Sequence, residues 1–150
     1  MTYQVTKTYG HDVGLSATFR QWRAESHCRF LHGYALAVKL TFECERHQLD
    51  QNGWVINFGM LKPVKAWLES MLDHKTLVAK DDPMLWKFQA MSMDGLIQLV
   101  EVERTGCEAF AKMIYEHVQD WLMTTDRAGL CELVEVEVRE HGANSAILKG

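Results

Sequence analysis

The sequence predicts an α+β domain in which two long helices cover one face of a four-stranded antiparallel sheet. Stretches with the alternation of strands lie at both ends of the chain, and stretches with helical spacing lie between them. Segregated strands and helices of this kind are typical of the class. The 150 residues contain no repeat, linker or low-complexity segment, so we expect a single domain, residues 1–150. The uncovered face of the sheet predicts a homo-oligomer.

The composition is that of an ordinary globular protein and excludes two classes of partner. A net charge of −4 gives no general attraction to nucleic acid or to an anionic membrane surface. No apolar run approaches the roughly 20 residues that span a bilayer, and the first residues lack the apolar core of a signal peptide. The cysteines are scattered, which favours free thiols in a reducing cytoplasm over a disulfide scaffold; they are Cys28, Cys44, Cys107 and Cys131.

Two strands are predicted before the helices. Residues 3–9 and 13–20 carry β-branched and aromatic residues on both sides of Gly10-His11-Asp12, so we expect an extended segment with a bulge or a turn. Residues 21–29 are polar and charged, which is typical of a loop. Residues 34–44 alternate as a second strand, and its apolar face carries Leu36, Val38, Leu40 and Phe42.

The middle of the chain predicts the first long helix and several shorter elements. After a polar turn, residues 54–58 are expected to be extended, and residues 60–71 repeat apolar side chains at helical spacing. A short helix over 82–88 and a short strand over 96–102 are predicted next. The stretch that contains these two is the least periodic part of the chain.

The last third predicts the second long helix and a hairpin. Residues 105–123 keep a helical apolar face, and Thr105 and Glu108 have the spacing of a capping box. Residues 133–140 alternate strictly and are the clearest strand in the sequence. After a turn, residues 145–148 are expected to pair back on this strand.

Chemistry-bearing residues are concentrated in residues 26–34. Cys28 lies four positions before His32 and directly after His27, and a reactive thiol needs a nearby imidazole or cation to be held as thiolate. An imidazole at the start of a strand is also a common zinc ligand. The alternative is a surface loop with a small apolar cysteine.

Five motifs in one order resemble a known family. They are Cys28-x-x-x-His32-Gly33, Gly53-Trp54-Val55-Ile56-Asn57-Phe58-x-x-Leu61-Lys62, Leu72-Asp73-His74, Thr105-x-x-Glu108 and Val136-Glu137-Val138-Arg139-Glu140. With these motifs the chain resembles the 6-pyruvoyltetrahydropterin synthase and 6-carboxytetrahydropterin synthase family. The resemblance covers nearly the whole chain, apart from a longer connection over residues 79–104.

The resemblance implies the tunnelling fold, in which antiparallel sheets of several subunits close a barrel, and a homo-oligomer that we expect to be a hexamer. It implies a lyase with active sites at subunit interfaces, a zinc ion in each, and 7,8-dihydroneopterin triphosphate as substrate. The bacterial branch forms 6-carboxytetrahydropterin, acetaldehyde and triphosphate on the way to queuosine and other 7-deazaguanines. Two alternatives stay open: a 6-pyruvoyl-type or aldolase-like lyase on the same pterin, and a non-catalytic pterin- or purine-binding oligomer.

The resemblance also implies catalytic roles. Cys28 matches the catalytic thiol, the base that moves protons near the substrate's side chain, and such a base must be tuned near neutral pH. Asp73 and His74 match the pair that completes this proton relay, often from a neighbouring subunit. A structural alternative for this pair is a helix C-terminus, where the helix dipole favours a histidine.

Three further residues match substrate-binding positions. Glu140 matches the carboxylate that accepts two parallel N–H bonds from the guanidine-like edge of the pterin; its alternative is the solvated end of a strand. Thr105 and Glu108 match a pair at the start of the second long helix, where a helix cap is the alternative.

The zinc site implied by the resemblance is incomplete. The first expected histidine is replaced by Phe19, and the second histidine of a His-Gly-His pattern is replaced by Tyr34. Only His32 remains, and one imidazole does not hold zinc. Asn57 also stands where an aspartate is usual.

Three explanations are consistent with this departure. The chain could build a substitute zinc site around His32, from His27, Cys28, His11 or Tyr34. It could use no metal and bind anionic substrate groups with Arg20, Arg23 and Arg29. It could also be a pterin-binding relative without the usual activity, because a metal supplies several kcal/mol of electrophilic stabilisation.

Overall fold

The computed structural model describes all 150 residues and has the expected α+β architecture. The strands are β1 (Thr2–Tyr9), β2 (Leu15–Phe19), β3 (His32–Glu45), β4 (Lys75–Ala79), β5 (Leu99–Val102), β6 (Glu132–His141) and β7 (Asn144–Lys149). The helices are α1 (Lys62–Leu72), α2 (Leu85–Met93) and α3 (Cys107–Leu122). All four cysteines are free thiols.

The sheet differs from the prediction, because it has seven strands of mixed direction rather than four antiparallel ones. The strand order is β5-β4-β2-β3-β6-β7, and β1 pairs with β3. The long strand β3 pairs antiparallel with β2 near its start and with β1 along the rest of its length. Strands β4 and β5 are parallel to each other, and β4 is parallel to β2. A helical crossover, α2, joins β4 to β5, and such a connection makes two neighbouring strands parallel.

The apolar face of β3 was predicted correctly and forms the centre of the core. Leu36, Val38, Leu40 and Phe42 are fully buried. They belong to one core cluster with the buried residues of the two long helices, including Leu68 of α1 and Phe110 and Ile114 of α3. The two long helices therefore cover the same face of the sheet.

Strand β4, Lys75–Ala79, lies in a stretch for which the sequence analysis predicts no strand. Four of its five residues are buried, in the sequence KTLVA. A strand buried on both faces lacks the alternation that identifies a half-exposed strand. Only two residues separate β4 from α1, so the sequence marks no clear boundary between helix and strand.

The predicted extended segment 54–58 is not a strand. Val55 and Ile56 are buried within an irregular turn. The buried guanidinium of Arg127 donates hydrogen bonds to the carbonyls of Val55 (2.9 Å) and Gln48 (2.7 Å). These bonds satisfy backbone groups that would otherwise need a neighbouring strand.

Several other boundaries move by a few residues. The short helix spans Leu85–Met93 instead of 82–88, and the strand before α3 spans Leu99–Val102 instead of 96–102. Helix α3 begins at Cys107, after Gly106 with a φ of 110° as N-cap, so Thr105 does not form the predicted capping box.

No helix in the chain has the length and apolar character needed to cross a membrane.

Candidate active site

The positions at which the expected zinc ligands would lie come together at one end of the β2–β3 pair. Phe19 pairs directly with His32, and Tyr34 follows two positions later on the same face of β3. The ring centroids of Phe19 and His32 are 5.2 Å apart, and those of His32 and Tyr34 are 5.4 Å apart. We call these three residues the aromatic triad.

The donors of the aromatic triad do not fit a zinc ion. Phe19 offers no ligand atom. Its buried ring forms an edge-to-face pair with Phe110, with 5.1 Å between the ring centroids. His32 Nδ1 lies 2.7 Å from the carbonyl oxygen of Phe30, so it donates a hydrogen bond there and only Nε2 is available. Burial, and then the nearby carboxylate of Glu140, raise the pKa of Tyr34, which disfavours the phenolate. One imidazole nitrogen and one phenol fall short of the three or four ligands of a protein zinc site.

The substitute ligands considered above do not complete the site. His27 is exposed in the short turn His27–Arg29. His11 donates through Nδ1 to the carbonyl of Ala35, so this ring nitrogen is not available to a metal. No three or more His, Cys, Asp or Glu side chains lie close enough together to hold a metal ion. The zinc ligands predicted at His32 and His27 are therefore not assembled within one chain.

Cys28 is the accessible thiol of the chain. It lies in the turn His27–Arg29, where its backbone N–H donates a hydrogen bond to Ser26 Oγ at 3.4 Å. Its carbonyl accepts from the N–H of Gln21 at 2.9 Å, which fixes the turn against the end of β2. Cys28 is partly exposed, whereas the other three cysteines are buried. Access is the first requirement for a proton-transfer thiol.

Glu140 presents a carboxylate without an ion-pair partner to the same region. On β6, Val136 and Val138 face the core, and Glu140 continues that series as a half-buried residue. Burial, and then the Glu140 carboxylate, raise the pKa of the Cys107 thiol to about 12, which places Glu140 beside the start of α3. No lysine, arginine or histidine of the chain forms an ion pair with Glu140. A half-buried carboxylate without a cationic partner can accept hydrogen bonds from a ligand.

Thr105 and Glu108 lie at the start of α3, on either side of Cys107 in the sequence. The Thr105 hydroxyl donates to the backbone carbonyl of Arg20 at 2.7 Å, so its observed role is to join the end of β2 to α3. Glu108 lies in the first turn of the helix and is close enough to Cys107 to add to the raised pKa of that thiol. Substrate binding by either residue stays a prediction.

Asp73 and His74 form a hydrogen-bonded pair at a different place. His74 Nδ1 donates to Asp73 Oδ1 at 2.8 Å. The pair is held against Ser16, because the N–H of His74 donates to the Ser16 carbonyl at 2.7 Å and the Ser16 N–H donates to Asp73 Oδ1 at 3.3 Å. His74 has a φ of 57°, and its side chain is 77% exposed.

The pair is thus not next to Cys28 within one chain. Ser16 precedes Phe19 by three positions of β2, which corresponds to about 10 Å along the strand. It also alternates to the opposite face, since Ala17 and Phe19 are buried and Ser16 is exposed. One chain alone brings together Cys28, Tyr34 and Glu140, but not the complete predicted relay.

The three arginines considered as an alternative to a metal are engaged by their own chain. Arg20 donates to both carboxylate oxygens of Asp82, at 2.6 and 2.8 Å. Arg23 donates to Asp81 at 2.8 Å, and Arg29 donates to the carbonyl of Glu25 at 2.8 Å. Asp82 was not identified from the sequence as a functional residue, because its partner is far away in the chain. Its position before a proline indicated only a helix start.

Two clefts of the chain lie away from the predicted catalytic residues. A cleft of about 640 Å³ is lined mainly by charged side chains of the region around β5 and α3, among them Lys80, Glu101 and Lys112. An apolar groove of about 250 Å³ is lined by residues that include Tyr3 and Trp54. Neither includes a predicted catalytic residue.

Comparison with known proteins identifies related chains. The family model described as 6-pyruvoyl tetrahydropterin synthase matches residues 11–150. The 6-carboxy-5,6,7,8-tetrahydropterin synthase of Bacillus subtilis is 30% identical over 113 residues, which are 75% of this chain and 64% of that relative. The chain therefore spans less than two thirds of the length of this curated relative.

Solved structures show the same fold. An uncharacterized protein from Wolinella succinogenes superposes with a TM-score of 0.82 at 20% identity, over 99% of this chain and 98% of that one. The 6-pyruvoyl tetrahydropterin synthase of Plasmodium vivax superposes with a TM-score of 0.71 at 13% identity, over 99% and 97% of the two chains. At these identities the likeness shows the fold alone.

Proposed function

Because this chain belongs to the 6-pyruvoyl tetrahydropterin synthase family, we propose that it is a lyase that acts on 7,8-dihydroneopterin triphosphate. With water, the reaction gives 6-carboxytetrahydropterin, acetaldehyde and triphosphate, a step toward queuosine and other 7-deazaguanines. The Bacillus subtilis relative carries the name of this activity. The observation that carries the proposal is that an accessible thiol, Cys28, and a carboxylate without an ion-pair partner, Glu140, both lie near Tyr34 at one end of the sheet.

Glu140 anchors the pterin in this proposal. The guanidine-like edge of a pterin presents two parallel N–H groups, and an ionised carboxylate can accept both. Glu140 has this capacity because no cation of the chain occupies it. In this proposal Thr105 and Glu108, at the start of α3, contact the same ring system.

Cys28 removes a proton from a carbon of the substrate's side chain. The thiolate becomes a thiol, and the electron pair remains on the substrate. His74, oriented by Asp73 through the 2.8 Å hydrogen bond, returns a proton at the next step.

We expect the relay to be completed between subunits of a cytoplasmic homo-oligomer, a hexamer in this proposal. Strand β7 ends the sheet and β1 pairs only with β3, so both offer free edges to another chain. Joining such edges would extend the sheet into a barrel and would bring the Asp73–His74 pair of one subunit to Cys28 of another.

Coexpression of two inactive chains tests this arrangement. If Cys28 and His74 of one site come from different subunits, oligomers that mix Cys28→Ala and His74→Ala chains equally should recover about a quarter of the wild-type activity. Turnover of the purified mixed oligomers, with subunit ratio measured by mass spectrometry, gives the answer. No recovery in a verified mixture would place both residues of a site on the same chain.

The anchoring role predicts a loss of affinity for Glu140→Gln. An amide can accept only one of the two hydrogen bonds, and a bond to a charged group contributes roughly 1.5–3 kcal/mol, so we expect 7,8-dihydroneopterin to bind about 10- to 100-fold more weakly. Isothermal titration calorimetry measures this directly.

Glu137→Gln is the matched control. It makes the same change on the same strand, on the opposite face, where Glu137 pairs with Arg139 at 3.5 Å. An unchanged dissociation constant for Glu140→Gln would remove Glu140 from the pterin site.

A second candidate is a non-catalytic pterin- or purine-binding oligomer. One observation favours it: the donors found in the aromatic triad do not fit the zinc ion that the family resemblance implies. The two candidates differ in whether Cys28 is needed for turnover of the pterin.

A further inference from the structure

The aromatic triad has one polar group that the chain itself leaves unused. The Tyr34 hydroxyl takes part in none of the side-chain hydrogen bonds of the structure, whereas the hydroxyl of Tyr115, for example, donates to the carbonyl of Leu133 at 3.1 Å. Tyr34 is only partly buried. Its hydroxyl is therefore free to donate a hydrogen bond to a ligand.

The surroundings of this hydroxyl belong to the candidate site. Its ionisable neighbours are Glu140, the proposed pterin anchor, Cys28, the proposed base, and the buried Cys107. The ring of Tyr34 is held edge-on to His32 at 5.4 Å and lies 6.0 Å from the ring of His141. A ring confined on two sides keeps its hydroxyl in place, which is the requirement for preorganised stabilisation.

We propose that the Tyr34 hydroxyl donates a hydrogen bond to a side-chain oxygen of the substrate, that the unprotonated Nε2 of His32 accepts one from a hydroxyl group of the same side chain, and that this chain needs no zinc for its reaction. The inference rests on the proposed function, because it assigns a contact within that site. When Cys28 takes the proton from carbon, negative charge develops on the substrate, and a neutral O–H donor stabilises it without losing its own proton. The buried ring of Phe19 occupies the third position of the aromatic triad and has no atom that could bind a metal.

The first test is the metal content of the full oligomer, purified without a chelator or a metal-affinity tag. We expect far less than one zinc per chain by elemental analysis, and no uptake when zinc is added at a small excess followed by desalting. About one zinc per chain, retained after desalting, would overturn the inference.

Restoring the missing imidazoles gives the positive control. Phe19→His combined with Tyr34→His should take up about one zinc per chain if the triad has the geometry of a metal site. Because Phe19 is a core residue, Tyr34→His alone is the second variant; it keeps Phe19 and should still bind zinc more tightly than the wild type does.

The second test measures the proposed hydrogen bond without requiring turnover. Two ligands are compared by calorimetry: 7,8-dihydroneopterin, which has the hydroxylated side chain, and 7,8-dihydropterin, which lacks it. We expect the wild type to prefer dihydroneopterin by about fivefold to tenfold, the effect of one hydrogen bond. Tyr34→Phe should abolish this preference, whereas Tyr115→Phe should keep it.

The outcomes separate this inference from the proposed function. A preference that survives in Tyr34→Phe overturns the role of Tyr34 even if the enzyme is active. Loss of the preference in a protein that does not turn over dihydroneopterin triphosphate supports the hydrogen bond and contradicts only the proposed reaction. Absence of binding by either ligand contradicts both.

Discussion

Cys28→Ala is expected to lose turnover of 7,8-dihydroneopterin triphosphate by about 10³-fold, the contribution of a general base, while pterin affinity stays near the wild-type value. The thiol lies in a turn that is fixed by backbone hydrogen bonds at Ser26 and Gln21, so removing it should not disturb the fold. Steady-state kinetics gives the loss in kcat, and calorimetry with 7,8-dihydroneopterin gives the affinity.

Two comparisons make this result specific. Cys131→Ala removes a buried thiol at the start of β6 and should leave kcat unchanged. Cys28→Ser keeps a small polar group but not an acidic thiol, so it should be nearly as inactive as the alanine variant. Full activity of Cys28→Ala would contradict its assignment as base, and a wild type that binds pterin without converting it would support the non-catalytic candidate.

The products of the wild-type reaction distinguish the lyase alternatives. Release of acetaldehyde with triphosphate identifies the 6-carboxytetrahydropterin reaction. Triphosphate without acetaldehyde identifies the 6-pyruvoyl type.

Asp82→Ala is expected to have the largest effect on stability. The carboxylate of Asp82 is almost completely buried, and it accepts two hydrogen bonds from Arg20 and one from the N–H of Met84 at 2.8 Å. Removing one partner of a buried ion pair leaves the other without compensation and costs about 3 kcal/mol. Thermal unfolding should show a Tm lower by about 10 °C for a chain of this length.

The same pair predicts a pH dependence. Burial alone would raise the pKa of Asp82, but the hydrogen bonds from Arg20 and Met84 outweigh it and lower that pKa. A carboxyl group with a lowered pKa in the folded state stabilises the protein fully above its unfolded pKa of about 4. This stabilisation is lost as the pH falls toward the folded value, so the difference in Tm between wild type and Asp82→Ala should shrink in acid.

Asp81→Ala is the control, because Asp81 is the neighbouring residue and pairs with Arg23 at the surface. We expect its Tm to stay near that of the wild type at every pH. Equal losses for Asp81→Ala and Asp82→Ala would show that burial of the pair does not decide its effect.

The sequence was sufficient to predict strands that have one apolar face and one polar face. The apolar face of β3 and the strict alternation of β6 identify both strands, because one face of each is buried and the other is not. The predictions for strand β4 and for the segment 54–58 were wrong for opposite reasons. The first is buried on both faces and has no alternation, whereas the second has an apolar composition but is held in a turn by the distant Arg127.

The candidate site was predictable only as far as local motifs reach. Resemblance identified Phe19, His32 and Tyr34 as one group, and the structure places them together. The pairing of Arg20 with Asp82 joins residues 62 positions apart, and no periodicity reports such a contact. Nor could the sequence indicate that the Asp73–His74 pair is held at Ser16, away from Cys28, since this depends on the parallel pairing of β2 with β4.

The β4–α2–β5 crossover also decides in which direction the sheet can grow. Without it, β2 would expose an open edge beside the Asp73–His74 pair. The crossover converts β2 into an interior strand and ends the sheet instead at β5, which has only four residues and carries Glu101. A short, charged edge is a poor template for another strand, so in the proposed homo-oligomer we expect further chains to join at β1 and β7. We therefore expect the β4–α2–β5 crossover to limit the proposed assembly to growth in one direction from each chain.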